Sequence, residues 1–284
     1  MHRKIALVGR DEKSVRGQYD VERELGDRLR AARPEDRRSL YSEIYNELFT
    51  RVPDHPQHKR KADPASQQAA VNRQFRLLRH FLNPNVVYLE VGAGDCHLAL
   101  AVAPRVRHAY AVDVSDIISA RRQTPANFSL VITDGIKIDV PRGSVDVAYS
   151  NQLLEHLHPD DAAEQIREVH HALAPSGCYI AVTPHRYSGP HDVSRLFDHE
   201  ARGVHLKEYT YRELRSMFLS AGFSSTSRWM GIRGHFFRLP DPIILALESI
   251  FAALPRLLRT RLARSRLLRP LFGDTIIVAA KSAS

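Results

Sequence analysis

Three acidic side chains lie at the ends of successive apolar runs, where they could bind a polar ligand. Glu90 lies near the end of the run 86–91, Asp113 lies near the end of the next run, and Asp134 follows the third. Short, partly β-branched apolar runs of this kind predict buried strands. Because the carboxyl ends of parallel strands meet at one edge of a sheet, we expect these carboxylates to line a single crevice.

A glycine turn follows the first of these acids. Gly92 and Gly94 permit backbone angles and close approaches that a side chain would prevent. The free N–H groups of a helix beginning near His97 would face the same turn. A dinucleotide-binding Gly-x-Gly-x-x-Gly pattern requires a third glycine at position 97, where this chain has His97. The sequence therefore predicts a nucleotide-type ligand without a pyrophosphate. This disfavours a nicotinamide-dependent oxidoreductase, which we keep as an alternative.

Polar residues also follow the fourth and fifth apolar runs. Asn151 ends the fourth run and is followed by His156, whereas His185 and His191 lie in the loop after the fifth run. Histidine titrates near neutral pH and can remove a proton from a hydroxyl group as a general base. His156, His191 and His185 are therefore our candidates for a catalytic base, with a structural role as the alternative for each. Metal assistance through Glu155 and His156 is an alternative, but no compact set of ligands is visible, so no metal is expected.

The pattern of the whole chain predicts an α/β fold with a doubly wound, mostly parallel sheet of seven strands. The predicted strands are the apolar runs 86–91, 108–114, 128–133, 145–150 and 178–183, followed by Ser224 to Trp229 and Thr275 to Ala280. Helical segments are predicted at about 97–103, 115–122, 160–173 and 209–221.

The chain divides into a main domain and three attached segments. Residues 1–84 form an N-terminal helical extension, whose Tyr41 and Tyr45 either pack in the core or reach over the ligand as a lid. The main domain is 85–284; its acceptor-side loop is 184–208, and a basic helical insertion, 240–273, precedes the last strand.

Composition limits the function and the partners. Six arginines between Arg256 and Arg269 account for most of the formal net charge of +9, so a general nucleic-acid surface is not favoured. Two cysteines indicate a reducing compartment, and neither a signal peptide nor a membrane span is recognisable, which predicts a cytoplasmic protein. The basic insertion resembles an amphipathic helix, which either packs on the sheet or docks on an anionic membrane, with RNA phosphates as a third reading.

From Tyr88 to Phe223 the sequence resembles the class I S-adenosylmethionine-dependent methyltransferases of small-molecule type. The resemblance implies a Rossmann-like fold and S-adenosylmethionine as the cofactor. It assigns Glu90, Gly92 and Gly94 to the methionine part, Asp113 to the ribose, Asp134 and Gly135 to the adenine, and Asn151 to the sulfonium side. Cys96 departs from the pattern, because many members of the family have a glycine there.

This resemblance leads to a functional expectation. We expect in-line O-methylation of a small-molecule, sugar or lipid-linked acceptor, with a histidine as general base. A degenerate methyltransferase fold that serves as a membrane- or partner-binding module is the alternative. The sequence predicts neither the identity of the acceptor nor the oligomeric state.

Overall fold

The structure, a computed structural model, describes residues 10–57, 63–114 and 124–283. The helix predicted at 115–122 lies outside the described residues. The remaining predicted helices and strands are all present, with ends that differ by a few residues from those predicted.

A single eight-stranded sheet forms the centre of the molecule, in the order β3-β2-β1-β4-β5-β8-β6-β7. The first five strands run parallel to one another, and β8 lies antiparallel between β5 and β6. The strands are β1 Val87–Val91, β2 His108–Asp113, β3 Phe128–Ile132, β4 Val145–Asn151, β5 Leu173–Pro184, β6 Ser225–Ile232, β7 His235–Leu239 and β8 Asp274–Ala280.

The expected strand count of seven was wrong by one, because β7 adds an edge strand. Arg233 and Gly234 connect β6 to β7 and both have positive φ, at 52° and 84°. Ile232 pairs with His235 across this two-residue turn. Two positive φ angles suit the right-handed twist of a tight hairpin. An Arg-Gly turn is a weak signal in sequence, so this hairpin was not predicted.

Helices cover both faces of the sheet. They are α1 Glu12–Ala31, α2 Pro34–Arg51, α3 Pro64–Leu78, α4 His97–Val102, α5 Pro159–Ala172, α6 Tyr211–Ser220, α7 Asp241–Ala253, α8 Arg256–Ala263 and α9 Arg269–Phe272. The side chains of β1 alternate between two apolar cores: Leu89 and Val91 pack on one face, and Tyr88 packs on the other. Parallel strands buried on both faces explain the near-continuous apolar runs in the sequence.

The insertion 240–273 is helical as expected, but it is not one amphipathic helix. Pro255 separates α7 from α8, because proline lacks a backbone N–H and disfavours a helical conformation in the residue before it. The short helix α9 then leads into β8. Within the described residues, no helix combines the length and the apolarity needed to cross a membrane.

Candidate active site

The carboxyl ends of β1, β2 and β4 open into one cavity of about 220 Å³, which we call the strand-end cavity. Its sheet side is formed by Val91, Gly92, Gly94, Val112, Asp113, Val114, Thr133, Gly135, Gln152, Leu153 and His156. Five of the predicted site residues are thus brought to one place. The position agrees with the rule that open α/β sheets bind ligands beyond the carboxyl ends of their strands.

The glycine turn and the second acid are joined directly. The Gly94 N–H donates a hydrogen bond to Asp113 Oδ2 over 2.7 Å. Gly92 has a φ of +71°, and a Cβ there would lie 2.9 Å from a methyl group of Leu153. Cys96 takes a φ of 54° as the residue before α4, a left-handed conformation that favours glycine. Cys96 therefore takes a backbone conformation that the glycine of many family members would adopt readily.

Glu90 and Asn151 lie on the other side of this turn, in a neighbouring cavity of about 610 Å³ that also includes Gly92 and Gly94. We call it the glycine-turn cavity. Burial raises the pKa of Glu90 to about 8. Its Oε2 is buried and finds no hydrogen-bond partner in the described part of the chain. An unsatisfied buried carboxyl oxygen is costly, so a ligand that forms a hydrogen bond with it would be favoured here, and a cationic ligand would also stabilise the ionised form.

Asp134 and Gly135 separate at the end of β3. Gly135 lines the strand-end cavity, but Asp134 does not. The Asp134 carboxylate instead accepts hydrogen bonds from the backbone N–H groups of Ile136 and Lys137 and pairs with Arg38 at 3.0 Å. Burial opposes ionisation, yet these bonds lower the pKa of Asp134. The structure therefore places Asp134 as a support of the turn rather than as part of the cavity wall.

Helix α2 forms the roof of the strand-end cavity through Tyr41, Tyr45 and Phe49. The Tyr41 hydroxyl donates to Asp161 Oδ2 over 2.6 Å. The buried Asp161 also binds Arg37 through two hydrogen bonds of 2.6 and 2.7 Å. Tyr41 is thus buried in the core and also lines the cavity, and its role as a lid over a ligand stays a prediction.

A third cavity, of about 420 Å³, adjoins the strand-end cavity and contains several histidines; we call it the histidine cavity. It is lined by Arg10, Val15, Gln18, Glu22, His55, Pro56, Gln57, Gln152, His156, His191, Asp192, Val193, Arg195, Leu196, Val204 and His205. The two cavities share Gln57, Gln152 and His156. A molecule in the histidine cavity would therefore meet a ligand of the strand-end cavity beside these three side chains.

His156 is held by its surroundings in one orientation. Its Nδ1 lies 3.1 Å from the carbonyl oxygen of Val204, so Nδ1 carries the proton and Nε2 has a free lone pair. No hydrogen bond to Nε2 is found among the described residues. Burial and the nearby charge of His205 lower the pKa of His156 to about 3, which keeps the ring neutral. The rings of Tyr45 and His205 pack edge-on against it.

Glu208 orients two histidines of this cavity. Its Oε1 lies 2.9 Å from His205 Nδ1, and its Oε2 lies 3.2 Å from His191 Nδ1. Burial disfavours the charge of Glu208, but these bonds outweigh it and lower the pKa to about 2. Burial alone would lower the pKa of His205, whereas Glu208 and the charges of Glu155 and Asp192 raise it to about 9. His205 and Glu208 were not singled out from the sequence, although their spacing of three within a polar loop was a usable signal.

His185 is not brought into the histidine cavity. It is fully buried beneath the insertion, where its Nε2 lies 2.9 Å from Glu248 Oε1 on α7 and its Nδ1 accepts from the Tyr187 N–H. Burial lowers its pKa. The candidate role of His185 as a base therefore does not fit its position, because the insertion covers the end of β5. His191 does reach the cavity, but its Nε2 is also engaged, at 3.0 Å from Ser188 Oγ.

The described residues include a compact set of side chains that could hold a metal ion, although none was visible in the sequence, and the expected absence of a metal stays a prediction. Glu155, His156 and His205 each offer one ligand atom, and these atoms lie within 4.8 Å of one another. Position 205 is far from 156 in sequence, so the set appears only after folding. Two imidazoles and a carboxylate could hold a divalent transition metal. Glu155 is fully buried, with a pKa raised by burial to about 7, and its Oε1 has no partner among the described residues.

Comparison with known proteins assigns the class of this site. A family model described as a methyltransferase domain matches residues 20–227, and the chain belongs to that family. The protein is an S-adenosylmethionine-dependent methyltransferase, and the nicotinamide alternative is set aside. A search of curated proteins gave no match.

Solved structures share the fold at low sequence identity. A methyltransferase from Thermotoga maritima, described as a possible histamine N-methyltransferase, is 12% identical with a TM-score of 0.54, covering 82% of this chain and 98% of its own. The 1,6-didemethyltoxoflavin-N1-methyltransferase of Burkholderia thailandensis, solved with S-adenosylhomocysteine, is 15% identical with a TM-score of 0.51, covering 88% and 91%. An S-adenosylmethionine-dependent methyltransferase from Mesorhizobium loti is 16% identical with a TM-score of 0.50, covering 74% and 98%.

Proposed function

We propose that this methyltransferase transfers a methyl group to a hydroxyl of a small-molecule, sugar or lipid-linked acceptor bound in the histidine cavity. The observation that carries the proposal is the position of His156, which lines both the strand-end cavity and the histidine cavity. An in-line displacement needs the methyl donor and the acceptor on either side of one boundary, with little space between them. His156 lies at that boundary with Nε2 free to accept a proton.

The cofactor residues have matching roles in this proposal. Asp113 accepts the ribose hydroxyls, Gly92 and Gly94 let the methionine part approach the backbone, and Gly135 contacts the adenine. Glu90 and Asn151 line the adjoining glycine-turn cavity, where the amino group of the methionine part would satisfy the buried carboxylate. Asp134 acts indirectly, through the turn that contains Gly135.

The chemistry assigned to His156 balances protons and charge. When bound, S-adenosylmethionine would supply the methyl carbon: a bond from that carbon to the acceptor oxygen would replace its bond to sulfur, and the neutral thioether S-adenosylhomocysteine would be left. The hydroxyl proton passes to His156 Nε2, while the Val204 carbonyl accepts the hydrogen bond from Nδ1–H and keeps the ring aligned. A hydroxyl grows more acidic as its oxygen bonds to carbon, so a neutral imidazole of low pKa can still accept its proton.

A variant of His156 tests this function against simple cofactor binding. His156→Asn should retain S-adenosylhomocysteine affinity in calorimetric titration but lose methyl transfer by about a hundredfold or more, the usual contribution of a general base. The control is His171→Asn, which alters an exposed histidine on α5. Transfer by His156→Asn at the wild-type rate would reject the role of this residue.

We further propose that the insertion binds the protein peripherally to the cytoplasmic face of an anionic membrane. Large apolar side chains are exposed on it: Ile250 at 59%, Leu257 at 73% and Leu267 at 84%. The arginines of α8 and its flanks lie between them in sequence. Apolar side chains among cations suit the boundary between lipid headgroups and acyl chains.

Vesicle flotation tests the membrane proposal. The double variant Leu257→Ser/Leu267→Ser should float less with phosphatidylglycerol vesicles than the wild type, and high salt should weaken binding of both proteins. Ile132→Ser is the matched control, because Ile132 is exposed to 47% on β3, away from the insertion. Equal flotation of the double variant and the wild type would overturn the proposal.

A further inference from the structure

A fourth cavity, of about 500 Å³, lies between the acceptor-side loop and the insertion, and we call it the arginine cavity. The loop contributes Arg186, Tyr187, Gly189, Pro190, His199, Glu200, Ala201, Leu206, Lys207 and Glu208, whereas α7 and α8 contribute Ala252, Arg256, Arg259 and Thr260. It shares no lining residue with the strand-end, glycine-turn or histidine cavities. One of its residues, Glu208, forms hydrogen bonds with two histidines of the histidine cavity.

Arg264 ties the two walls of this cavity together. Its guanidinium donates to the backbone carbonyl of Ser188 over 2.7 Å and to that of Gly189 over 3.0 Å. These bonds join the end of α8 to the start of the acceptor-side loop. The cavity therefore lies between two segments that are hydrogen-bonded to each other.

The lining carries more positive than negative charge. Arg186, Lys207, Arg256 and Arg259 oppose only Glu200 and Glu208, which leaves four cations against two acids. Both Glu208 oxygens already accept hydrogen bonds from the histidines on its other side. Local charge complementarity therefore favours an anion in the cavity.

Arg259 is the cation with the least protein compensation. Its guanidinium carbon lies 4.8 Å from the centre of the Tyr187 ring, a cation–π contact that fixes its position. Within the described residues, no hydrogen bond or ion pair to this guanidinium is found, and its Nε is buried without a partner. In contrast, Arg256 pairs with Glu200 at 3.1 Å, and Arg186 pairs with Glu213 at 2.9 Å.

We propose that the arginine cavity binds a phosphate group, with Arg259 as its principal ligand. A guanidinium presents donors in a planar fork that matches two phosphate oxygens, and burial strengthens such bonds. The phosphate belongs either to a membrane lipid headgroup or to a soluble phosphorylated compound. The phosphate site deepens the proposed function, because it implies that the acceptor carries a phosphate group. Only this implication for the acceptor rests on the proposed function.

The arginine cavity is connected through Glu208 to two residues of the histidine cavity, His191 and His205. Gly189 packs directly on Glu208, and a Cβ at position 189 would overlap the Glu208 carboxylate. His191 follows in the same loop, and its backbone N–H donates to Glu208 Oε1 over 2.7 Å. A phosphate that contacts the 189–190 backbone would thus lie one side chain away from His191 and His205.

Titration of the full-length protein with inorganic pyrophosphate, and flotation with phosphatidylcholine vesicles with and without phosphatidic acid, test the proposal. Arg259→Gln should weaken whichever binding is present by about tenfold or more, the loss expected for charge-assisted hydrogen bonds. Arg261→Gln is the matched control, since Arg261 is an exposed arginine of α8 outside the cavity. Unchanged S-adenosylhomocysteine affinity verifies that each variant is folded.

The two ligand arms separate the sources of the phosphate. Pyrophosphate binding that depends on Arg259 supports a soluble phosphorylated ligand, and vesicle binding that depends on Arg259 and phosphatidic acid supports a lipid headgroup. Absence of both, or equal losses in Arg259→Gln and Arg261→Gln, overturns the proposal. Neither measurement involves methyl transfer, so failure of the proposed O-methylation would leave their outcome unaffected.

Discussion

Glu208 Oε1 lies 2.9 Å from His205 Nδ1 in a buried site. We predict that this contact makes the stability of the fold depend on pH. The pKa of His205 rises from 6.5 to about 9, so its stabilising charge is fully present below about pH 6.5 and lost as the pH rises through 9. Glu208→Gln removes the partner. The difference in unfolding free energy between wild type and variant should shrink, by on the order of 2 kcal/mol, between pH 6.5 and 9.5. A difference in unfolding free energy that stays constant across that pH range would refute the predicted link between His205 ionisation and stability.

The hydrogen bond between Asp113 and the Gly94 N–H predicts that substitution of Asp113 weakens cofactor binding. Asp113→Ala removes the proposed ribose acceptor and frees the turn, so S-adenosylhomocysteine affinity should fall by at least about tenfold. Calorimetric titration measures this loss. Asp139→Ala, at an exposed position beyond β3, should bind like the wild type. An affinity of Asp113→Ala within twofold of the control would exclude Asp113 from the cofactor site.

Gly92 and Gly94 form a matched pair for testing the turn. Both have positive φ, so alanine at either should cost about 1 kcal/mol of folding stability. Only Gly92→Ala also displaces Leu153, since a Cβ at position 94 meets nothing within 4 Å. Chemical denaturation should therefore show the larger loss for Gly92→Ala. Equal losses would mean that Leu153 does not restrict position 92.

The ion pair between Arg37 and Asp161 holds the roof of the strand-end cavity. Asp161→Asn leaves a buried guanidinium without its countercharge, which should cost about 3 kcal/mol in unfolding free energy. It should also weaken S-adenosylhomocysteine binding, because α2 carries Tyr41 and Tyr45 over the cavity. Tyr41→Phe removes only one hydrogen bond and should cost about 1 kcal/mol. A stable Asp161→Asn with normal affinity would contradict this role.

Metal removal distinguishes a histidine base from a metal-assisted reaction. With a pKa of about 9, His205 is an imidazolium at neutral pH. Its positive charge compensates the nearby Glu155 and Glu208, so no metal ion is needed there. Activity should therefore survive treatment with a chelator. Loss of activity on chelation, with recovery on adding Zn²⁺ or Mn²⁺, would instead assign Glu155, His156 and His205 as metal ligands.

Local patterns predicted most of the fold, because each buried parallel strand produces an apolar run. Acidic residues or glycines follow at the ends of several of these runs. Glu90, Asp113 and Gly135 were found in this way. The hairpin at Arg233 was missed, because its turn lacks the usual residues of a tight hairpin. His205 and Glu208 were missed for another reason: their roles depend on contacts with His156 and His191 that form only when the acceptor-side loop folds over the sheet.

His185 shows the opposite error. His185 directly follows β5, as the other predicted site residues follow their strands. In the folded chain, however, it is buried and bonded to Glu248 of the insertion. Periodicity predicted that the insertion would be helical, yet it could not predict which strand end the insertion would cover. The choice of His156 as the proposed base among several histidines thus required the packing of distant segments.

The most direct test of the account is to incubate wild type and His156→Asn with methyl-labelled S-adenosylmethionine and a metabolite and lipid extract, and to identify the labelled product by mass spectrometry. We predict a methyl ether with the wild type and no product above background with His156→Asn, at equal S-adenosylhomocysteine affinity. A methylated amine or carbon, or equal product formation by the two proteins, would contradict O-methylation with His156 as the base.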